Sequence, residues 1–157
     1  QVGEFKGHLG QSLYLREIEG REDGAPPPVD LEREKMTGEF LKEQINKGNI
    51  ASCHDISDGG LLIAMVEMAL ASNLGVRTCG FDFDMPIHAW FFGEDQGRYL
   101  ICSADSKSFV REARLKSVPI KKVGVVGGHD IIVDGESITL KELRDAHESW
   151  LPNLMST

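Results

Sequence analysis

Between Ile50 and Ala71 the chain has few options. Ile50 to Ile56 (IASCHDI) is short and mixed, and reads as a buried strand. Ser57-Asp58-Gly59-Gly60 is turn chemistry with a candidate N-cap. From Leu61 to Ala71 every position but Glu67 is apolar. A helix that is apolar on nearly all sides must be buried on more than one face. The chain must therefore supply layers on more than one side of this helix, or a partner must. With 157 residues and 41% apolar content it is long enough to bury a core of its own.

The remaining segments indicate what those layers are. Gly10 to Ile18 fits a short helix. Glu19 to Val29, with Pro26-Pro27-Pro28, cannot be helical and reads as a connector. Residues 1–29 are thus expected to be a lead-in segment and connector, and residues 30–157 the domain proper. Asp30 is placed to cap a helix whose Leu31, Met36, Phe40, Leu41 and Ile45 recur at helical spacing, ending at Gly48. Val76–Phe83, Arg98–Ser103, Lys122–Val126 and Asp130–Val133 read as strands. Pro86–Phe92, Ser106–Lys116 and Leu140–Trp150 read as helices. Asp134-Gly135 between IIV and ESI is a type I′ hairpin signal. Strands alternating with helices, plus one hairpin, predict an α+β fold with a mixed sheet.

Composition excludes several functions. The net charge is −8, from 17 basic and 25 acidic side chains, with no basic stripe for nucleic acid. The longest apolar run is too short to span a bilayer, and an acidic surface disfavours anionic membranes. Cys53, Cys79 and Cys102 are far apart and sit in or beside apolar segments. They are expected to be buried, reduced thiols, which fits a cytoplasmic protein. The first residue is Gln1, so the chain is expected to begin inside a longer polypeptide or after processing.

Two clusters are candidates for chemistry. In the first, His54, Asp55 and Asp58 are ligand types for a metal. Gly59 and Gly60 could instead let backbone N–H groups approach a phosphate at the start of the Leu61 helix. In a third reading the turn is purely architectural, with Asp58 as cap, Gly60 permitting close packing and no metal. Composition alone favours this last one. In the second cluster, Glu94, Asp95 and Gln96 between Gly93 and Gly97 could hold a hydroxyl-rich ligand, or form a solvated loop. No nucleophile–base pair stands out, so no catalytic residue is assigned. The apolar segments Leu61–Ala71 and Pro86–Phe92 are expected to contribute to a surface that a partner covers.

HDISDGGLLIAMVEMALA, FFGEDQGRYLICS and VPIKKVGVVGG, in this order, resemble the C-terminal part of phosphoribosylformylglycinamidine synthase, long synthetase subunit. GHLGQSLYLREI followed by PPPVDLEREK is similar to the stretch leading into that part. The resemblance implies a three-layer α/β/α arrangement around a mixed sheet, like the C-terminal domain of aminoimidazole ribonucleotide synthetase. It implies an ATP-dependent parent that turns formylglycinamide ribonucleotide and glutamine-derived ammonia into formylglycinamidine ribonucleotide. The cofactors implied are ATP and magnesium, held mainly by residues outside this chain, so the chain alone should be inactive. The implied partners are the ATP-binding halves of the same subunit, a glutaminase subunit and a small accessory subunit. Glu94-Asp95-Gln96 resembles the duplicated counterpart of the family's substrate-binding Glu-Ser-Gln set. Asp95 departs from it, which argues against substrate binding here; the resemblance to the duplicated half implies an auxiliary nucleotide site of structural role as the neighbour instead. The alternatives are a C-terminal domain of a selenophosphate synthetase or hydrogenase maturation protein, and a small metal-dependent phosphohydrolase using His54 and Asp55.

Overall fold

A computed structural model describes residues 1–80 and 85–156. In chain order the elements are α1 (Leu13–Glu17), α2 (Leu31–Asn46), β1 (Ser52–Asp55), α3 (Gly60–Ser72), β2 (Val76–Thr78), α4 (Ile87–Phe92), β3 (Tyr99–Cys102), α5 (Ser106–Leu115), β4 (Gly124–Val126), β5 (Asp130–Val133), β6 (Glu136–Thr139) and α6 (Leu140–Met155). The expected strand from Val76 ends at Thr78, and Phe81–Phe83 lie outside the described residues. The chain groups into two compact units. One comprises Gln1–Ala64 and Gly80–Lys122, the other Met65–Cys79 and Val123–Thr157. The stretch before Asp30 belongs to the first unit.

In that first unit β1 and β3 pair antiparallel, His54 opposite Leu100. Val2 bridges both Tyr99 and Ile120 and is fully buried. The core here is Val2, Phe40, Leu41, Phe109, Ala113 and Val118. The Phe40 and Phe109 rings meet edge to face, 5.4 Å between centroids. Asp30 does cap α2: its side chain accepts from Arg33 N at 3.1 Å. The buried stripe of α2 is Thr37, Phe40, Leu41 and Gln44, while Leu31, Met36 and Ile45 are exposed. The reason is geometric. Positions 37 and 44 lie three or four residues from both Phe40 and Leu41, whereas 36 and 45 each neighbour only one of them. Leu115 is likewise exposed on α5, which buries Phe109 and Ala113.

The second unit carries the mixed sheet, in the order β4-β2-β5-β6. β2 runs antiparallel to β4 and parallel to β5. β5 and β6 form the hairpin expected at Asp134-Gly135, both with positive φ (49° and 90°), as a type I′ turn requires. Thr139 and Glu142 close a capping box at the start of α6. That helix runs through Pro152 to Met155, past the end expected at Trp150. Among the described residues no helix is long and apolar enough to cross a membrane.

Two further expectations are corrected. Cys53 is exposed, and Cys79 and Cys102 are only half-buried. β1 is short and lies open along most of its length, so its thiol reaches solvent. The expected partner surface on α4 is largely covered: Trp90 and Phe91 are 2% and 3% exposed and Phe92 is half-buried, leaving Ile87 open at 53%. On α3, Leu61, Ala64, Met65, Ala69 and Leu70 are buried as well.

Candidate functional site

The two clusters singled out in the sequence meet, but through the backbone. The turn before α3 has both Gly59 and Gly60 at positive φ (77° and 70°). A Cβ on Gly60 would lie 2.7 Å from Phe92 C and 2.8 Å from the carbonyl oxygens of Phe91 and Gly93. The end of α4 thus lies directly against this turn, and only glycine allows the approach. Glu94 follows at once. Its Oε1 accepts from Gly59 N at 2.7 Å and from Leu13 N, the first residue of α1, at 2.9 Å. One carboxylate oxygen therefore ties two helix beginnings together, where backbone donors and dipoles favour negative charge. The carboxylate that meets this turn is Glu94, whereas Asp58, the expected cap, is exposed.

Asp95 is buried and faces the N-terminal stretch. Its Oδ2 accepts from Gly7 N at 3.0 Å and His8 N at 3.4 Å, and lies 3.5 Å from Arg98 Nη1. Arg98 is 1% exposed. It donates to Gly93 O at 2.8 Å and to Gln1 Oε1 at 3.2 Å, and its guanidinium stacks over the Phe5 ring at 4.3 Å. Burial pulls the Arg98 pKa down to about 10, with the Asp95 charge opposing that shift. A ladder results: Lys121 lies over Trp90 at 4.3 Å, Trp90 meets Phe5 edge to face at 4.8 Å, and Phe5 carries Arg98. An unpaired buried guanidinium would be costly. An aspartate at position 95 supplies its counter-charge, which a serine could not. Sequence reasoning missed Arg98, Phe5 and Lys121. The available signal was a cation three residues after Asp95.

Gln96 points elsewhere. It is exposed and lines an open cleft of about 300 Å³ with Lys6, Arg33, Glu34 and Thr37. His54 Nδ1 lies 2.6 Å from Asp55 O and 3.5 Å from Asp55 Oδ1. Among the described residues no three His, Cys, Asp or Glu side chains converge to hold a metal. The described groups do not fit a magnesium–triphosphate either, since Glu94 and Asp95 are already engaged by amides and Arg98.

Within the first unit, this loop fastens the N-terminal stretch and the starts of α1 and α3. The chain belongs to the family of AIR synthase related proteins, C-terminal domain, whose pattern matches residues 2–135. Among individual proteins, it is 47% identical over 150 residues to phosphoribosylformylglycinamidine synthase subunit PurL of Zymomonas mobilis, covering 96% of this chain and 20% of that protein. It is 50% identical over 156 residues to the subunit of the same name from Caulobacter vibrioides, covering 99% and 21%. The chain therefore spans about one fifth of the length of these relatives. Its fold matches the solved structure "T. maritima PurL complexed with FGAR" with a TM-score of 0.71 at 21% identity, over 90% of this chain and 26% of that one.

Proposed function

We propose that this chain is the C-terminal domain of a phosphoribosylformylglycinamidine synthase large subunit. Such an enzyme joins ammonia to formylglycinamide ribonucleotide at the expense of ATP, in purine biosynthesis in the cytoplasm. The observation that carries this is the match at 47–50% identity, along almost the whole chain, to proteins of that name. ATP and magnesium would be held mainly by the other four fifths of such a subunit. Solved PurL structures complexed with ATP and with AMPPCP support nucleotide binding in the parent. A structure of PurLQS from Thermotoga maritima supports a multi-subunit assembly, in which a glutaminase and a small accessory subunit would be the partners.

Within this reading Gly59, Gly60, Glu94 and Asp95 form an architectural corner, while His54, Asp55 and Asp58 lie on the more open approach to it and Gln96 faces the neighbouring cleft. The corner holds the N-terminal stretch and the starts of α1 and α3 in fixed relation, so that ligands bound by neighbouring domains meet a rigid wall. The test is trans-complementation. The chain alone should release no ADP with formylglycinamide ribonucleotide and ammonium. Added to a Caulobacter vibrioides PurL lacking the matched segment, it should restore turnover. Turnover by the purified chain alone would contradict the proposal.

A further inference from the structure

The cleft beside Gln96, within the first unit, gathers polar groups that the fold itself does not use. Asp30, Arg33, Glu34 and Thr37 line it from the start of α2, where their spacing puts them on one face of the helix, and Asp95, Gln96 and Gly97 line it from the loop before β3. Thr37 is 3% exposed and Asp95 8%. The Thr37 hydroxyl and the half-buried Glu34 carboxylate bond to no other described residue, and neither does the Gln96 amide. The hydrogen bonds to the Asp95 carboxylate fall on Oδ2, which leaves Oδ1 free. Among the described residues, the side-chain atoms both sealed from solvent and without a partner are Gln44 Nε2 and Arg98 Nε. The free oxygens of Thr37 and Asp95 are therefore not sealed, and the cleft that both residues line is where they open. Nearly buried polar groups are costly to leave without partners, so a hydroxyl and a carboxylate oxygen held open to one cleft mark a place for a ligand.

We propose that this cleft binds a neutral, polyhydroxylated molecule of monosaccharide size. The donor and acceptor pattern selects that class. Glu34 and Asp95 Oδ1 can only accept, so a phosphate or carboxylate finds repulsion there. The Gln96 amide N–H groups and Lys6 can only donate, so an ammonium ion leaves them unused. Each hydroxyl of a polyol both donates and accepts, so one such ligand can satisfy both sets, with Thr37 able to play either part. The charges agree. Lys6 and Arg33 are clasped to Glu4 at 3.4 and 2.6 Å, and Arg98 lies 3.5 Å from Asp95, so most of the charge around the cleft is already offset. The volume of about 300 Å³ sits at the lower end of small-molecule sites, roughly 300–1,000 Å³. The proposal does not rest on the synthase assignment.

Saturation-transfer NMR on the 157-residue chain, with D-ribose and separately with sorbitol, tests this. The expected result is saturable transfer to the ligand protons, half-maximal on the order of 1–10 mM for ligands of about ten non-hydrogen atoms. Equimolar inorganic phosphate or ethylamine should not compete. Thr37→Val, and separately Glu34→Gln, should weaken binding about fivefold or more. Thr37→Val should do so without lowering Tm, because its hydroxyl bonds to nothing in the fold. Glu32→Gln, at an exposed position of the same helix outside the cleft, should change nothing. Absence of transfer to both polyols overturns the inference and leaves the cleft to water. Competition by phosphate or ethylamine overturns it too, as does transfer that survives both the Thr37 and Glu34 variants. Installed in Caulobacter vibrioides PurL in place of the matched segment, the chain should keep a sorbitol signal that Glu34→Gln removes. A signal present in the free chain and missing there assigns the cleft to another segment of the subunit and overturns the inference.

Discussion

Replacing Gly60 by alanine is a sharp perturbation of the corner at the start of α3. Two independent costs add. Gly60 sits at φ 70°, a left-handed conformation that costs an L-residue roughly 1–2 kcal/mol. Its new Cβ would lie 2.7–2.8 Å from three backbone atoms of Phe91, Phe92 and Gly93, which cannot rotate away as a side chain tip would. Forcing atoms into a packed site typically costs about 1–3 kcal/mol more. The sum is about 2–5 kcal/mol, and for a chain of this size Tm should fall on the order of 10 °C. Gly38 is the control. It lies inside α2, and a Cβ there meets nothing within 4 Å. Gly38→Ala should therefore stabilise by roughly 0.5–1 kcal/mol through helix propensity. Urea unfolding of both variants under one buffer gives the two numbers. A Gly60→Ala protein within about 0.5 kcal/mol of the parent would refute the close approach of α4 to this turn.

Other consequences are equally direct. Glu94→Ala strands the amides of Gly59 and Leu13 and should cost about 2–4 kcal/mol, whereas Asp58→Ala, at an exposed position, should stay within about 0.5 kcal/mol; equal losses in denaturant titrations would return the capping role to Asp58. Glu43 bonds to Lys116 and to Lys47, and these bonds pull its carboxyl down to about 2. The folded pKa lies below the unfolded one, so the stabilisation is present above about pH 4.5 and fades as pH falls from there toward 2. The Tm gap between the parent and Glu43→Gln should therefore narrow across that window, and a gap that stays constant from pH 6 to about pH 2 contradicts the ion-pair account.

Sequence patterns exposed the elements well and their facing less well. The Asp134-Gly135 hairpin and the Asp30 cap depend on local chemistry, so both were legible. The facing of α2 was not, because Phe40 and Leu41 admit two stripes by spacing, and only packing of both at once selects Thr37 and Gln44. The cap at α3 illustrates the harder case. Asp58 is adjacent in sequence, yet the carboxylate that meets the turn comes from Glu94, 35 residues beyond Gly59. Arg98 could not be read as buried from its residue type, since buried arginines are rare. Its environment of Phe5, Asp95 and Gln1 is assembled from opposite ends of the first unit. The exposed Cys53 fails a composition rule for a local reason: it sits on an open strand.

The central claim is that this chain is interchangeable with the matched segment of a PurL subunit. A chimaera in which it replaces that segment of Caulobacter vibrioides PurL, assayed for ATP turnover that requires both ammonia and formylglycinamide ribonucleotide, tests it most directly. The expected result is a folded chimaera with substrate-dependent turnover, and loss of that turnover when Gly60→Ala is introduced into the graft. A chimaera that folds with the parent's stability but shows no substrate-dependent turnover would contradict it.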